Sequence, residues 1–204
     1  MKRFLFLVPL VTGALAPLIG CSESVPPPSE GAWYVDFKAG SHGSSCTIAG
    51  VQPLYVGDMS KPECIGKSSP VDQAQHCGLS MDGRSGIRNY CAVLQQGASY
   101  RLEGYLEQGA NLLRFTVPTI TAAATQAQPA HGIVTFTSSE VQQTYMSPDS
   151  DQCLFYFNAA QAAQLAPGRM WVTFECPTVQ TSGTSVASVC TIMPSFFAFQ
   201  NCDE

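Results

Sequence analysis

The sequence predicts an all-β domain: an antiparallel β-sandwich, jelly-roll-like or immunoglobulin-like, with about ten short strands braced by disulfides. Three observations predict it. Short runs of aromatic and β-branched residues alternate with polar ones, Gly, Pro, Asn or Ser closes each run, and the chain carries nine cysteines in 204 residues.

The chain opens with Lys2 and Arg3 and then runs apolar from Phe4 to Gly20, broken by Pro9, Gly13 and Pro17. A spanning helix needs about 20 apolar residues free of breakers. A charged start, a shorter apolar stretch and small residues at its end mark a secretory leader instead, expected over residues 1–20. Cleavage after Ala14-Leu15-Ala16 would strand an apolar Pro-Leu-Ile-Gly tail. The four residues Leu18-Ile19-Gly20-Cys21 fit better, since they resemble the lipobox of bacterial lipoproteins and fall where the apolar stretch ends. The resemblance implies that the Cys21 thiol takes a diacylglycerol, that cleavage makes Cys21 the new N-terminus, and that its amine is open to a further acyl chain such as palmitate. It also implies a destination: Ser22, rather than Asp, follows the cysteine, the pattern of outer-membrane delivery in bacteria with two membranes.

Parity supports the same role for Cys21. Setting it aside leaves Cys46, Cys64, Cys77, Cys91, Cys153, Cys176, Cys190 and Cys202, an even number for an oxidising compartment to pair. Residues 21–31 then form a tether whose Pro26-Pro27-Pro28 favours extended geometry, holding the domain on the order of 30 Å from the acyl chains. Residues 32–204 are expected to form one domain, long enough to bury a core.

Within that domain "AWYVDFK" puts Trp33, Val35 and Phe37 on one face and Tyr34 and Asp36 on the other. "SCTIAG" and "RNYCAVLQQ" follow as further strand candidates. In "SYRLEGYLEQ", Leu102, Gly104 and Leu106 face in while Tyr105 and its neighbours face out. "NLLRFTVP" places Leu113, Phe115 and Val117 inward, and Gly109 marks a hairpin between these two strands. "TAAATQAQPA" reads as a loop, then "HGIVTFTS" and "QCLFYFN" as strands. "NAAQAAQLAPG" predicts one or two helical turns, capped by Asn158 and stopped by Pro167-Gly168. "RMWVTFEC" directs Met170, Val172, Phe174 and Cys176 inward and Trp171, Thr173 and Glu175 outward; "ASVCTIM" and "PSFFAFQNC" complete the set. Gly57 to Gly86 lacks periodicity and is expected to be tied down by Cys64 and Cys77.

This arrangement is loosely similar to small cysteine-bearing lipoproteins of myxobacteria, which have no assigned activity. The similarity rests on the lipobox, a Gly-aromatic first strand, a late strand with Gly168, Trp171, Phe174, Cys176 and Pro177, then Cys190, then Phe197, Phe199 and Cys202.

Strand order suggests a Cys176–Cys190 bridge across a hairpin and Cys153–Cys202 for the last strand. The other four cysteines admit three connectivities, of which Cys46–Cys91 with Cys64–Cys77 is favoured.

Little in the chain points to chemistry. His42, Cys46, Cys64, His76 and Cys77 lack the close ligand pairs of structural zinc, so no metal or other cofactor is expected. Gly-x-Ser-x-Gly fails at "DGRSGIR", where Ile87 stands in the fifth position. A serine hydrolase would need Ser85 to meet His76 or His131 in space, and that is the competing reading to a noncatalytic protein. "PDSDQC" reads as a turn and lacks calcium-loop spacing. Glu103 and Glu107 lie about 13 Å apart along a strand, too far for a glycosidase pair. Without Lys2 and Arg3, eight basic residues face fifteen acidic ones, a balance of minus seven that argues against nucleic acid. Outward Tyr105, Tyr156 and Trp171 are the candidate ligand face for an envelope polysaccharide or protein, and a flat apolar patch would instead mark an assembly or inhibitor module.

Overall fold

The computed structural model describes residues 26–40, 46–48, 54–56, 79–138, 142–162, 165–182 and 188–204. The leader, Cys21, His42, Cys64, His76 and Cys77 lie outside the described residues, and with them the expected Cys64–Cys77 bridge. The strands are β1 (Glu30–Val35), β2 (Phe37–Ala39), β3 (Leu54–Val56), β4 (Ser80–Met81), β5 (Ile87–Gln96), β6 (Ser99–Gln108), β7 (Asn111–Ile120), β8 (Ala130–Ser138), β9 (Gln143–Met146), β10 (Cys153–Tyr156), β11 (Arg169–Thr181) and β12 (Val189–Gln200).

All twelve strands found among the described residues belong to one sheet, whose main path runs β3-β1-β12-β11-β10-β8-β7-β6-β5. The pairings named between these strands are antiparallel. The all-β, disulfide-braced body expected from the sequence is present, but its strands do not divide into two separate sheets. Instead β8, β10, β11 and β9 close a circuit of four. Register shows how: β9 pairs Thr135–Ser138 and β10 pairs Ala130–Gly132 of the same strand, β8. Both also pair with β11, at Gln180–Thr181 and Thr173–Glu175 respectively. β9 and β10 therefore lie end to end between β8 and β11, interrupted by the turn in which Asp151 N donates to the Pro148 carbonyl at 3.1 Å.

Twist rolls the sheet so that its inward faces meet. Phe115 of β7 stacks on Phe197 of β12, ring centroids 3.8 Å apart. Trp33 of β1 donates its indole N–H to the Leu106 carbonyl of β6 at 3.1 Å. The inward residues named from the sequence on β1, β6, β7 and β11 form this core: Trp33, Val35, Leu102, Leu106, Leu113, Phe115, Val117, Met170, Val172 and Phe174 are buried.

An unpaired β5 edge would invite association with another strand. Here the C-terminal tail covers it, Asp203 donating to the Cys91 carbonyl at 2.9 Å and accepting from Val93 N at 2.8 Å. Asn89 adds side-chain bonds to the Ser29 and Ser80 carbonyls.

Among the described residues the disulfides are Cys46–Cys190, Cys91–Cys202 and Cys153–Cys176. They correct the expected Cys176–Cys190, Cys153–Cys202 and Cys46–Cys91 pairings, and register supplies the reason. β11 and β12 are neighbours, yet Cys176 lies opposite Ile192 and Cys190 opposite Val179, with bulges between. Cys176 instead faces β10, where Leu154 pairs with Glu175 and leaves Cys153 adjacent. Cys202 reaches Cys91 because the tail carrying it crosses to β5.

Several local expectations also change. "AWYVDFK" breaks at Asp36, whose N–H is held by Ser195 Oγ at 3.1 Å, giving β1 and β2. β1 begins at Glu30, inside the expected tether. Cys46–Ile48 is a turn rather than part of a strand, and the two last candidates merge into β12. The helical turn is Ala159–Ala162, with Asn158 as its cap: Gln161 N donates to Asn158 Oδ1, and Asn158 N donates back to Gln161 Oε1, each at 2.9 Å.

Candidate functional site

Two hairpins build the site. β5 and β6 join through Gly97-Ala98, and β6 and β7 through Gly109-Ala110; both glycines have positive φ, 67° and 62°. That backbone at the first turn position suits a tight two-residue connection, which fixes register along both pairs. Tyr90 then falls opposite Tyr105, and Tyr105 opposite Arg114. One residue from each of three adjacent strands forms a row on the outward face.

The row is in contact along its length. The Tyr90 and Tyr105 rings lie 6.1 Å apart at 33°. The Arg114 guanidinium carbon lies 5.6 Å from the Tyr105 centroid, a cation–π approach. With Glu103, Gly104, Phe115 and Thr116, these residues line an open groove of about 270 Å³. Gly104 makes the close approach of β5 possible, since a Cβ there would stand 2.6 Å from the Tyr90 carbonyl oxygen.

Charge around the groove is unevenly paired. Arg101 binds Glu103 at 2.8 Å, and Arg88 holds Glu107 through both carboxylate oxygens at 2.8 and 2.7 Å. The carboxylates set aside above as a glycosidase pair are thus each held by an arginine. Arg114 has no carboxylate within ion-pair distance among the described residues. Partial burial, then the nearby Glu103 and Asp203 carboxylates, hold the Tyr90 phenol above its ordinary pKa.

The structure separates the three aromatic residues named from the sequence. Tyr105 lies in the groove. Trp171 is buried, 8 % exposed, beside Phe196 and Ala198 on the outward side of β11 and β12, and its buried indole N–H has no hydrogen-bond partner among the described residues. Tyr156 is also buried, and its pKa is pushed up to about 12 by burial first and by the Glu175 carboxylate second. β7 and β8 intervene between β6 and β10, so Tyr105, Tyr156 and Trp171 form no common face.

Ser85 and His131 are not brought together. Ser85 lies in the turn before β5, at the sheet end where Ile87 pairs with Gln108. His131 is exposed near the start of β8, past the Thr116–Ile133 pair at the other end. Cys46, considered above as a zinc ligand, is committed to a disulfide.

Sequence alone does not single out Tyr90, Arg114 and Thr116, and it raises Glu103 only as half of a glycosidase pair. The signal that places them is the repeated Gly-Ala turn in "LQQGAS" and "LEQGAN": two-residue connections at both sites put Tyr90, Tyr105 and Arg114 in one row. No protein-family model, no curated protein and no solved structure matches this chain.

Proposed function

We propose that this protein is a noncatalytic, lipid-anchored envelope protein that binds saccharide on the Tyr90–Tyr105–Arg114 face. The observation that carries the binding reading is the cross-strand row itself. Two tyrosine rings offer apolar faces to the C–H surfaces of a sugar, and Glu103, Thr116 and the phenol hydroxyls offer hydrogen-bond partners for its hydroxyls. An envelope polysaccharide is the partner this chemistry suits.

The anchor reading rests on Leu18-Ile19-Gly20-Cys21 and on cysteine parity. The disulfides Cys46–Cys190, Cys91–Cys202 and Cys153–Cys176 support it by fitting an oxidising compartment. Burial of acyl chains contributes about 0.8 kcal/mol per methylene, and two chains make a stable anchor. In an organism with two membranes, Ser22 directs the protein to the outer one. Residues 26–29 lead into β1 at Glu30, beside the C-terminal tail, where Asn201 donates to the Pro28 carbonyl.

The two parts are tested separately. Binding of a neutral envelope oligosaccharide is expected to fall at least about tenfold in a Tyr90→Ala/Tyr105→Ala protein, and unchanged affinity removes this face from the function. Cys21→Ala is expected to leave membranes on fractionation at high salt; retention there contradicts the anchor.

A further inference from the structure

We infer that the saccharide taken by this groove is acidic, a chain bearing uronate carboxylates, and that Arg114 is the residue that reads the charge. The inference deepens the saccharide-binding reading and rests on it. Three arginines occupy the outward face of β5, β6 and β7. Two are occupied by carboxylates of the same sheet, Arg88 by Glu107 at 2.7 Å and Arg101 by Glu103 at 2.8 Å. Arg114 is exposed, lies against the Tyr105 ring, and has no such partner among the described residues.

A guanidinium against an aromatic ring keeps its N–H edges free while the ring restrains its plane. Those edges match the two oxygens of a carboxylate. Glu103 does not cancel this preference, because its own charge is met by Arg101. It remains an acceptor for sugar hydroxyls. From Tyr90 to Arg114 is two strand spacings, about 10 Å, the length of a disaccharide, so one ring would rest on the tyrosines while the next presents its acid to Arg114.

Overall charge narrows the class further. Without Lys2 and Arg3 the chain's balance of minus seven repels a dense polyanion at long range. One unpaired guanidinium in one groove suits a polymer with a single carboxylate per disaccharide, rather than a heavily sulfated or phosphorylated one.

Calorimetric titration of the detergent-solubilised protein tests this with two probes. One is a hexasaccharide of alternating glucuronate and N-acetylglucosamine; the other is the same molecule with its carboxylates reduced to alcohols. The acidic form is expected to bind at least about tenfold more tightly. Arg114→Gln is expected to erase that difference, and Arg114→Lys to restore only part of it, an ammonium lacking the paired edges. Equal binding of the two probes, or a preference that survives Arg114→Gln, overturns the acidic inference and leaves saccharide binding standing. Binding of neither probe at millimolar concentration overturns both.

Discussion

Tyr90 and Gly104 approach so closely across the β5–β6 pair that a Cβ on residue 104 would stand 2.6 Å from the Tyr90 carbonyl oxygen and 3.0 Å from Phe115 Cζ. The inward side of this pair is therefore packed to its limit, and the outward side carries the groove. Gly104→Ala must push β5 away or displace Phe115 from its stack on Phe197. It is expected to cost about 1–3 kcal/mol in chemical denaturation and to weaken saccharide binding, because the Tyr90 ring moves with its backbone. A protein of unchanged stability would mean that β5 is free to shift.

The disulfides predict an order of stability losses. Cys91–Cys202 closes a sequence separation of 111 residues and Cys153–Cys176 one of 23. On loop entropy alone these contribute about 5 and about 3.5 kcal/mol. The first also pins the tail that covers the β5 edge, so its loss exposes a strand edge as well as lengthening the unfolded chain. Paired alanine variants compared by denaturation are expected to rank in that order, with aggregation confined to the Cys91/Cys202 pair. The reverse ranking would show that the tail does not hold the roll closed.

Tyr156 predicts a stability loss in base. Its pKa of about 12 in the folded chain lies above the ordinary tyrosine value of 10.0. A group raised in this way contributes stability that is fully present below pH 10 and lost as pH rises from there through 12, since over that window the folded state holds the proton that the unfolded state has released. Denaturation midpoints are expected to fall more steeply across that window in the wild type than in Tyr156→Phe. Parallel curves would contradict the burial of the phenol.

Much of the fold is legible in the sequence because alternation reports which side of a strand is wet. It places the cores of β6, β7 and β11 correctly, and Asn158 is the expected helix cap, exchanging hydrogen bonds with Gln161 three residues on. Pairing across the roll is less legible. Cys176 and Cys190 are on neighbouring strands, but the register set from the Gln180–Val189 pair puts Cys190 opposite Val179, three residues from Cys176, and strand order alone does not carry that register. β9 was missed for a related reason: four residues long, it shares its lane with β10 and is too short to show a pattern. Trp171 was placed outward, and it does point to that side, but its immediate neighbours Phe196 and Ala198 bury it there. Arg114 lies only five residues from a legible turn, yet its place beside Tyr105 follows only when the turn is counted as two residues.

The groove is tested most directly by backbone amide shifts of the isotope-labelled protein titrated with the acidic hexasaccharide. The largest changes are expected at Tyr90, Glu103, Tyr105, Arg114 and Thr116, with little change at Tyr156 or Trp171. Changes centred on β11 and β12 around Trp171, or none at saturating saccharide, would contradict the assignment of this face.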